Sequence, residues 1–265
     1  METRRAFCVK QRTTIDAGAI VYEIDAPVRK RGDSPKQRAA KAKASSEAQQ
    51  LRNKILSARE LELRLAVNYP TPGSGLVIVL TYDDNHLPKT RKEAQRRFKY
   101  FLKKLRALRK KAGLPEPRVI YAPEALSSRS GRWHHHIVLD STGQDLDMVR
   151  ACWIYGSEIS CEKLRVDEEK NHESLARYMS KELREAQEYE CRPGLHGWGC
   201  TRSCFKPEVD VRIVEDGARL RAPKGATVLQ QERRSTEFAE VALLKYRLPA
   251  RCFRGAVRTR RRRRR

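Results

Sequence analysis

Three consecutive histidines, His134, His135 and His136, open an apolar run that is typical of a β-strand. Successive side chains of a strand point to opposite faces, so His134 and His136 share one face, about 6 to 7 Å apart along the chain, and His135 points the other way. Neutral imidazoles are common ligands of metal ions. The pattern therefore predicts a His-x-His pair of ligands, unless all three side chains are structural.

A second pair of reactive side chains lies in the segment LARYMSKEL. Tyr178 and Lys181 are three residues apart and lie on the same side of a predicted helix, outside the centre of its apolar stripe. A tyrosine at the edge of such a stripe most often packs there with its hydroxyl in water. Next to a pair of metal ligands, the same phenol becomes a candidate nucleophile.

The elements that position these groups follow from apolar periodicity and turn signals. A polar turn joins two of the predicted strands into a hairpin that brings Glu124 close to the histidines. The order predicts an α+β fold with a mostly antiparallel sheet, helices packed on one face and the other face free for a ligand. The predicted strands span 76–82, 118–123, 133–139 and 158–166, and the predicted helices span 45–65, 90–113, 146–154 and 173–187.

The charge of the chain indicates a polyanionic partner. Lys and Arg number 57 against 33 Asp and Glu, a formal net charge of +24. Such a charge favours nucleic acid or an acidic membrane surface. The sequence has no apolar run of about 18 residues and no signal peptide, so we expect nucleic acid and no membrane.

The seven cysteines have no disulfide-framework spacing. With no export signal, they predict reduced thiols in a cytosolic protein. Cys191, His196, Cys200 and Cys204 could in principle bind zinc, although their spacing matches no C-x₂-C knuckle.

Composition divides the chain into four predicted regions. Residues 1–44 are a basic arm, 45–215 the folded domain, 216–257 an extension and 258–265 a disordered arginine tail. In the extension, EFAEVALLKY (237–246) is typical of a helix. The exposed side of the helix over 90–113 is basic, including Lys99 and Lys103, and is either solvated or directed at phosphates.

Three motifs resemble those of the rolling-circle replication initiators (Rep proteins) of the HUH endonuclease superfamily, especially those of small phages and bacterial elements. LTYDD (80–84) is similar to the first motif, WHHHIVLD to the His-hydrophobe-His motif, and RYMSKEL to the tyrosine motif. The order is that of the family, and the resemblance covers residues 45–207. One departure is His135, which stands in a slot that is usually a plain apolar residue.

The resemblance implies a ferredoxin- or RRM-like HUH nuclease domain that requires a divalent cation, Mg²⁺ or Mn²⁺. Glu124 would join His134 and His136 as the third ligand, and the ion would polarise a scissile phosphate. Tyr178 would be the nucleophile that forms a 5′-phosphotyrosine link and frees a 3′-hydroxyl primer, and Lys181 would be its electrostatic helper.

Further implications concern the partners. The substrate would be single-stranded DNA at a replication origin, in the cytoplasm of a bacterial host cell and associated with its nucleoid. The sequence has no Walker-type loop, so a host helicase and polymerase would complete replication. We expect DNA contacts from Thr81, Tyr82, Lys99, Lys103, Arg132 and Arg177.

Two alternatives remain open at this point. A single-tyrosine HUH transposase has the same chemistry and the same motif order, although LTYDD favours a Rep protein. A non-enzymatic basic protein would bind nucleic acid through its sheet and arginine tail, with structural histidines.

Overall fold

The computed structural model describes residues 10–27, 47–124, 132–167, 171–180, 197–215, 218–235 and 240–249. The chain divides into two compact units. The first comprises residues 1–50 and 206–265, and the second comprises Leu51–Phe205. The candidate ligands and Tyr178 belong to the second unit.

The second unit is built on a five-stranded antiparallel sheet with the strand order β6-β3-β5-β4-β7. The β-branched run after Gly75 forms the inner strand β3, and the histidine run forms the central strand β5. The α+β class and the mostly antiparallel sheet are therefore confirmed. The strands are β3 (Gly75–Thr81), β4 (Val119–Glu124), β5 (His134–Asp140), β6 (Ile159–Lys163) and β7 (Gly199–Cys200).

Helices cover both faces of this sheet. They are α1 (Glu47–Asn68), α2 (Arg91–Lys111), α3 (Asp145–Cys152) and α4 (Glu173–Met179). Helices α2 and α3 pack on one face, with Phe98 and Val149 in its core. The opposite face was expected to be free, but α1 and α4 bury Leu61, Leu65 and Met179 against it. The apolar side chains that β3, β4 and β5 direct to this face require such a cover.

Helix α2 begins and ends where the sequence predicts. The Thr90 hydroxyl accepts a hydrogen bond from the backbone N–H of Glu93 at 3.2 Å, which satisfies one of the unpaired donors of the first turn. The Glu93 carboxylate accepts from the backbone N–H of Lys89 at 3.0 Å. Past Lys111, Gly113 has a φ of 69°, a backbone conformation that glycine adopts at little cost.

A buried ion-pair network joins α2 to the end of β5. The Arg109 side chain is fully buried, and its guanidinium donates to Asp140 at 2.9 Å and to Asp145 at 2.6 Å. Asp145 also accepts from the hydroxyl of Thr142 at 2.7 Å. The three charged groups compensate one another, so the network depends on all of them.

The first unit contains a second five-stranded antiparallel sheet, with the order β8-β1-β2-β10-β9. Its strands are β1 (Lys10–Asp16), β2 (Ile20–Pro27), β8 (Glu208–Val214), β9 (Thr227–Ser235) and β10 (Glu240–Arg247). Residues 10–27, assigned from composition to a basic arm, thus form a hairpin. Val21, Leu244 and Tyr246 lie in the core on one face of this sheet, which Leu220 helps to cover.

The helix predicted for EFAEVALLKY is wrong, because its described part is strand β10. Ala242, Leu244 and Tyr246 alternate with Val241, Leu243 and Lys245, and β10 pairs with β2 and β9 on its two sides. Pairing of this kind overrides the helix propensity of Glu, Ala and Leu.

The tail 258–265 lies outside the described residues. Within the described part of the chain, no helix combines the length and the apolar character that a membrane crossing requires.

We predict that Arg109→Leu lowers the free energy of unfolding of the second unit by about 3–5 kcal/mol, because it leaves two buried carboxylates without their counter-charge. Urea unfolding followed by tryptophan fluorescence measures this, since Trp133, Trp153 and Trp198 all lie in Leu51–Phe205. In the control Arg106→Leu, the lost ion pair with Glu116 is exposed, so the change should stay within about 1 kcal/mol. Equal effects of the two substitutions would contradict the prediction.

Candidate metal centre

The candidate ligands lie together on strands β4 and β5. The register pairs His134 with Glu124 and His136 with Ala122. Directly paired residues project to the same face of a sheet, so all three ligands face the side that carries α1 and α4. Oε2 of Glu124 lies 2.5 Å from Nε2 of His136 and 3.3 Å from Nε2 of His134. The two Nε2 atoms are 3.1 Å apart.

These separations suit three ligands of one small cation. Ligand atoms about 2.1 Å from a shared ion lie about 3 Å apart when they meet at right angles. Within the described residues, Glu124, His134 and His136 are the only group of at least three His, Cys, Asp or Glu side chains close enough to share an ion. We call this group the Glu-His-His cluster. Two nitrogen ligands and one carboxylate form a donor set that fits a catalytic metal.

The surroundings of His134 prepare its Nε2 as a ligand. Its Nδ1 lies 3.1 Å from the carbonyl oxygen of Arg132. Because a carbonyl only accepts, Nδ1 carries the proton and donates it, which leaves the lone pair of Nε2 directed at the cluster. Burial, and then the charge of His136, lowers the pKa of His134 below its ordinary value. Both effects favour the neutral imidazole that binds a metal.

His135 lies on the opposite face of β5, as the strand alternation predicts. Its Nε2 lies 2.9 Å from the hydroxyl of Tyr82, and its ring stacks on Phe98 with the centroids 4.7 Å apart. Burial lowers the pKa of His135 to about 3. The middle histidine is thus a neutral core residue and takes the place of the usual apolar side chain.

Helix α4 places Tyr178 next to the cluster. Ala176 and Met179 pack into the core on the ligand-bearing face of the sheet, and the Tyr178 side chain, 46 % exposed, lies at the edge of this contact. Its ring meets that of His136 edge to face, with the centroids 4.9 Å apart and the planes at 79°. The tyrosine predicted from the helix stripe and the predicted ligands are therefore neighbours.

The start of α4 is anchored by His172, which the sequence analysis missed. His172 is 1 % exposed, and its Nε2 lies 2.8 Å from the backbone oxygen of Tyr69. The preceding residue, Asn171, has a φ of 55° and forms a β-bridge with Asp167. The only local signal was a polar pair, Asn-His, immediately before a predicted helix.

The predicted DNA contacts occupy different surroundings. Thr81 pairs with His134 across β3 and β5, so its side chain lies on the ligand-bearing face. The assignment of Tyr82 requires correction, because Tyr82 is 2 % exposed and packs in the core. Arg132 forms an ion pair with Asp84 at 2.5 Å and also donates to the carbonyl of Tyr82 at 3.0 Å.

The remaining predicted contacts are on helices. Lys99 and Lys103 are exposed on α2, which covers the sheet face opposite to the cluster. Arg177 is exposed on α4, where it forms an ion pair with Glu173 at 2.5 Å. The role of these side chains in DNA binding stays a prediction.

Some of the predicted site residues lie outside the described residues, namely Lys181, Cys191 and His196. Of the candidate zinc ligands, Cys200 and Cys204 are described. A hydrogen bond with Cys200, together with burial, raises the pKa of the Cys204 thiol well above its ordinary value. Since zinc binds the thiolate, these contacts give no support to a zinc site at Cys204.

Comparison with known protein families accounts for this arrangement. Residues 75–183 match a family of replication-associated proteins, described by its ORF2 member. The resemblance to rolling-circle replication initiators is thereby confirmed. The matched segment contains the whole Glu-His-His cluster, helix α4 and Tyr178. No curated protein and no solved structure matches the chain significantly.

We predict that His172 makes the stability of the second unit depend on pH. Burial lowers the pKa of His172 to about 4, whereas an unfolded histidine titrates near about 6.5. The unfolded state therefore binds the proton first, and stability that is complete above about pH 6.5 is lost as the pH falls to about 4. The loss amounts to about 3 kcal/mol.

Urea unfolding of the wild type and of His172→Gln between pH 7 and pH 4 checks this prediction. We expect the stability difference between the two proteins to shift by about 3 kcal/mol over this range. His86→Gln, a change outside the core, serves as the control and should leave the wild-type pH profile intact. A His172→Gln profile parallel to the wild type would refute the prediction.

We also predict that the Glu-His-His cluster binds Mn²⁺. Calorimetric titration of the wild type should show one site, and His136→Ala should weaken binding by more than the factor of about 10–100 typical of losing an outer-sphere partner. His86→Ala removes a histidine outside the cluster and should bind like the wild type. Unchanged binding in His136→Ala would exclude this site.

Proposed function

We propose that this chain initiates replication by cutting single-stranded DNA at an origin with the phenol of Tyr178. The observation that carries the proposal is the contact between the Tyr178 and His136 rings, 4.9 Å between centroids, beside a cluster able to hold a metal ion. The family match over residues 75–183 supports a role in replication. A nucleophile and an electrophilic ion placed side by side are what phosphoryl transfer to a protein side chain needs.

The cation would be Mg²⁺ or Mn²⁺, held by Glu124, His134 and His136. When bound, such an ion acts as a Lewis acid on an oxygen of the scissile phosphate. The protein's own part is to hold the ligands in place: the Arg132 carbonyl sets the tautomer of His134, and the buried Glu124 contacts both imidazoles.

The proposed reaction exchanges one phosphoester for another. The bond between Oη of Tyr178 and phosphorus forms as the bond between phosphorus and the 3′ oxygen breaks. The phenol gives up its proton, and the departing oxygen takes one up, so the products are a 5′-phosphotyrosine and a 3′-hydroxyl. Because the new bond is also a phosphoester, attack by a 3′-hydroxyl can reverse the step and rejoin the strand.

The phenol needs help at neutral pH, since its ordinary pKa is about 10. A nearby positive charge stabilises the phenolate. We assign this role to Lys181, which follows Tyr178 by three residues and so by about one helical turn.

The substrate and partners follow from this chemistry. The 46 % exposure of Tyr178 leaves room for a DNA strand, and Thr81, Arg132 and Arg177 are the nearby candidates to contact it. The 3′-hydroxyl would prime a host polymerase, and a host helicase would unwind the duplex, in the cytoplasm of a bacterial cell. The family match to a replication-associated protein favours this function over a transposase.

We predict that the protein forms a covalent adduct with single-stranded DNA. A random-sequence pool carrying a fluorophore at its 3′ end is incubated with the protein and Mn²⁺ and analysed on a denaturing gel. The label should migrate with the wild-type protein and should not do so with Tyr178→Phe or in the presence of a chelator.

Tyr100→Phe provides the matched control, because Tyr100 is 45 % exposed and Tyr178 is 46 % exposed. This variant should form the adduct at the wild-type level. An adduct that persists in Tyr178→Phe would assign the nucleophile elsewhere. If the wild type forms no adduct but binds the pool in a salt-dependent manner, the protein is a non-enzymatic nucleic-acid-binding protein.

A further inference from the structure

A cavity of about 270 Å³ lies between the N-terminal half of α2 and the edge of the sheet formed by β4 and β7. It is on the sheet face opposite to the Glu-His-His cluster. Helix α2 contributes Gln95, Phe98 and Lys99 to its lining, the sheet contributes Tyr121 and His135, and Trp198 precedes β7. The function proposed above uses none of these side chains in its chemistry.

Aromatic rings form the apolar part of the cavity. Tyr121 packs on Phe98 with the ring centroids 4.6 Å apart, and Phe98 stacks in turn on His135. Trp198 is held by a hydrogen bond from its Nε1 to the hydroxyl of Ser57 at 3.0 Å. Planar faces fixed in this manner suit a planar ligand, since π systems stack with an offset or meet edge to face.

Gly199 leaves the space that the Tyr121 ring occupies. A Cβ atom at residue 199 would lie 2.7 Å from Cζ and 2.8 Å from Oη of Tyr121. These distances are far shorter than van der Waals contact, so any side chain at this position would have to displace the ring. The shape of the cavity therefore depends on a glycine in β7.

Polar groups are placed at the mouth and in the wall of the cavity. Gln95 and Lys99 are exposed and follow each other by one helical turn. His135 is 1 % exposed, and its Nδ1 has no hydrogen-bond partner in the described part of the chain. A buried polar atom of this kind gains from a ligand that supplies the missing partner.

The charge around the mouth selects an anionic ligand. From Ala94 to Lys111, helix α2 has no acidic residue, and Arg96 and Lys103 are exposed on the same side as Lys99. Adjacent cations along a helix face lie about 5–6 Å apart. A phosphate backbone can therefore follow this side of the helix past the cavity.

We propose that the cavity binds one unpaired nucleobase of a DNA strand, with the strand's phosphate on Lys99. The volume is just below the lower end of small-molecule sites, about 300 Å³, which fits a single base and leaves the sugar and phosphate outside. Stacking on Tyr121 and Trp198, together with amide contacts from Gln95, is the usual chemistry of single-strand recognition. The proposal extends the proposed function by adding a DNA contact away from the reacting phosphate.

Binding is measured without metal, in a chelator, so that no cutting interferes. The probes are a fluorescent random-sequence single strand and an abasic strand of the same length, which has the same phosphates but no bases. The wild type should prefer the base-bearing strand by about 10-fold, as expected for one base stack. Tyr121→Leu and Gly199→Ala should both lose this preference while still binding the abasic strand.

Lys99→Ala and Lys103→Ala form a matched pair, because both remove an exposed charge from α2 and only Lys99 lines the cavity. Lys99→Ala should weaken binding of the base-bearing strand several-fold more than Lys103→Ala does. Tryptophan fluorescence checks that each variant is folded. A preference for bases that survives in both Tyr121→Leu and Gly199→Ala, or equal effects of the two lysine changes, would overturn the proposal.

Two further arms separate this proposal from the others. If a deoxynucleoside monophosphate binds as tightly as the strand, the ligand is a free nucleotide and the DNA assignment is overturned. At saturating DNA, Lys99→Ala should form the Tyr178 adduct at the wild-type level, because the cavity contributes binding and not chemistry. A wild type that forms no adduct but retains the cavity-dependent preference would refute the nicking reaction and support the cavity.

Discussion

The alternation of side chains along β5 is the constraint on which the site depends. His134 and His136 face the cluster only because His135 faces the core, where Tyr82 and Phe98 hold it. A slip of one residue would exchange these faces and place a single histidine at the site. The buried contacts of His135 therefore fix the register that brings Glu124 opposite His134.

The same constraint explains why the site needs helices on both sides of the sheet. One helical layer closes the core around His135 and so holds the register of β5. The other layer brings Tyr178 to the ligands, through Ala176 and Met179 in the core and through the contact of His172 with Tyr69. The reactive side chain is thus supported by well-packed groups, while its own ring remains accessible.

The sequence predicted most of the second unit, because its signals are local. The capping of α2 by Thr90, the hairpin of β4 and β5 and the two-residue period of the histidines are all readable over a few residues. The second sheet was missed, because β1 and β2 pair with β8 and β10, which are distant in sequence. The same reason applies to Trp198 and Tyr121, which only the pairing of β7 with β4 brings together. Tyr82 was misassigned because motif similarity does not report burial.

The first unit takes strands from both sides of the second. Strands β1 and β2 leave the ribosome early, but their sheet partners β8 and β10 are synthesised only after Leu51–Phe205. At typical translation rates this delay is on the order of 10 s or more. An isolated two-stranded hairpin is only marginally stable, and its two open edges invite pairing with other chains. During synthesis, the nascent hairpin is therefore the part of this protein most exposed to aggregation, and the late strands end that exposure.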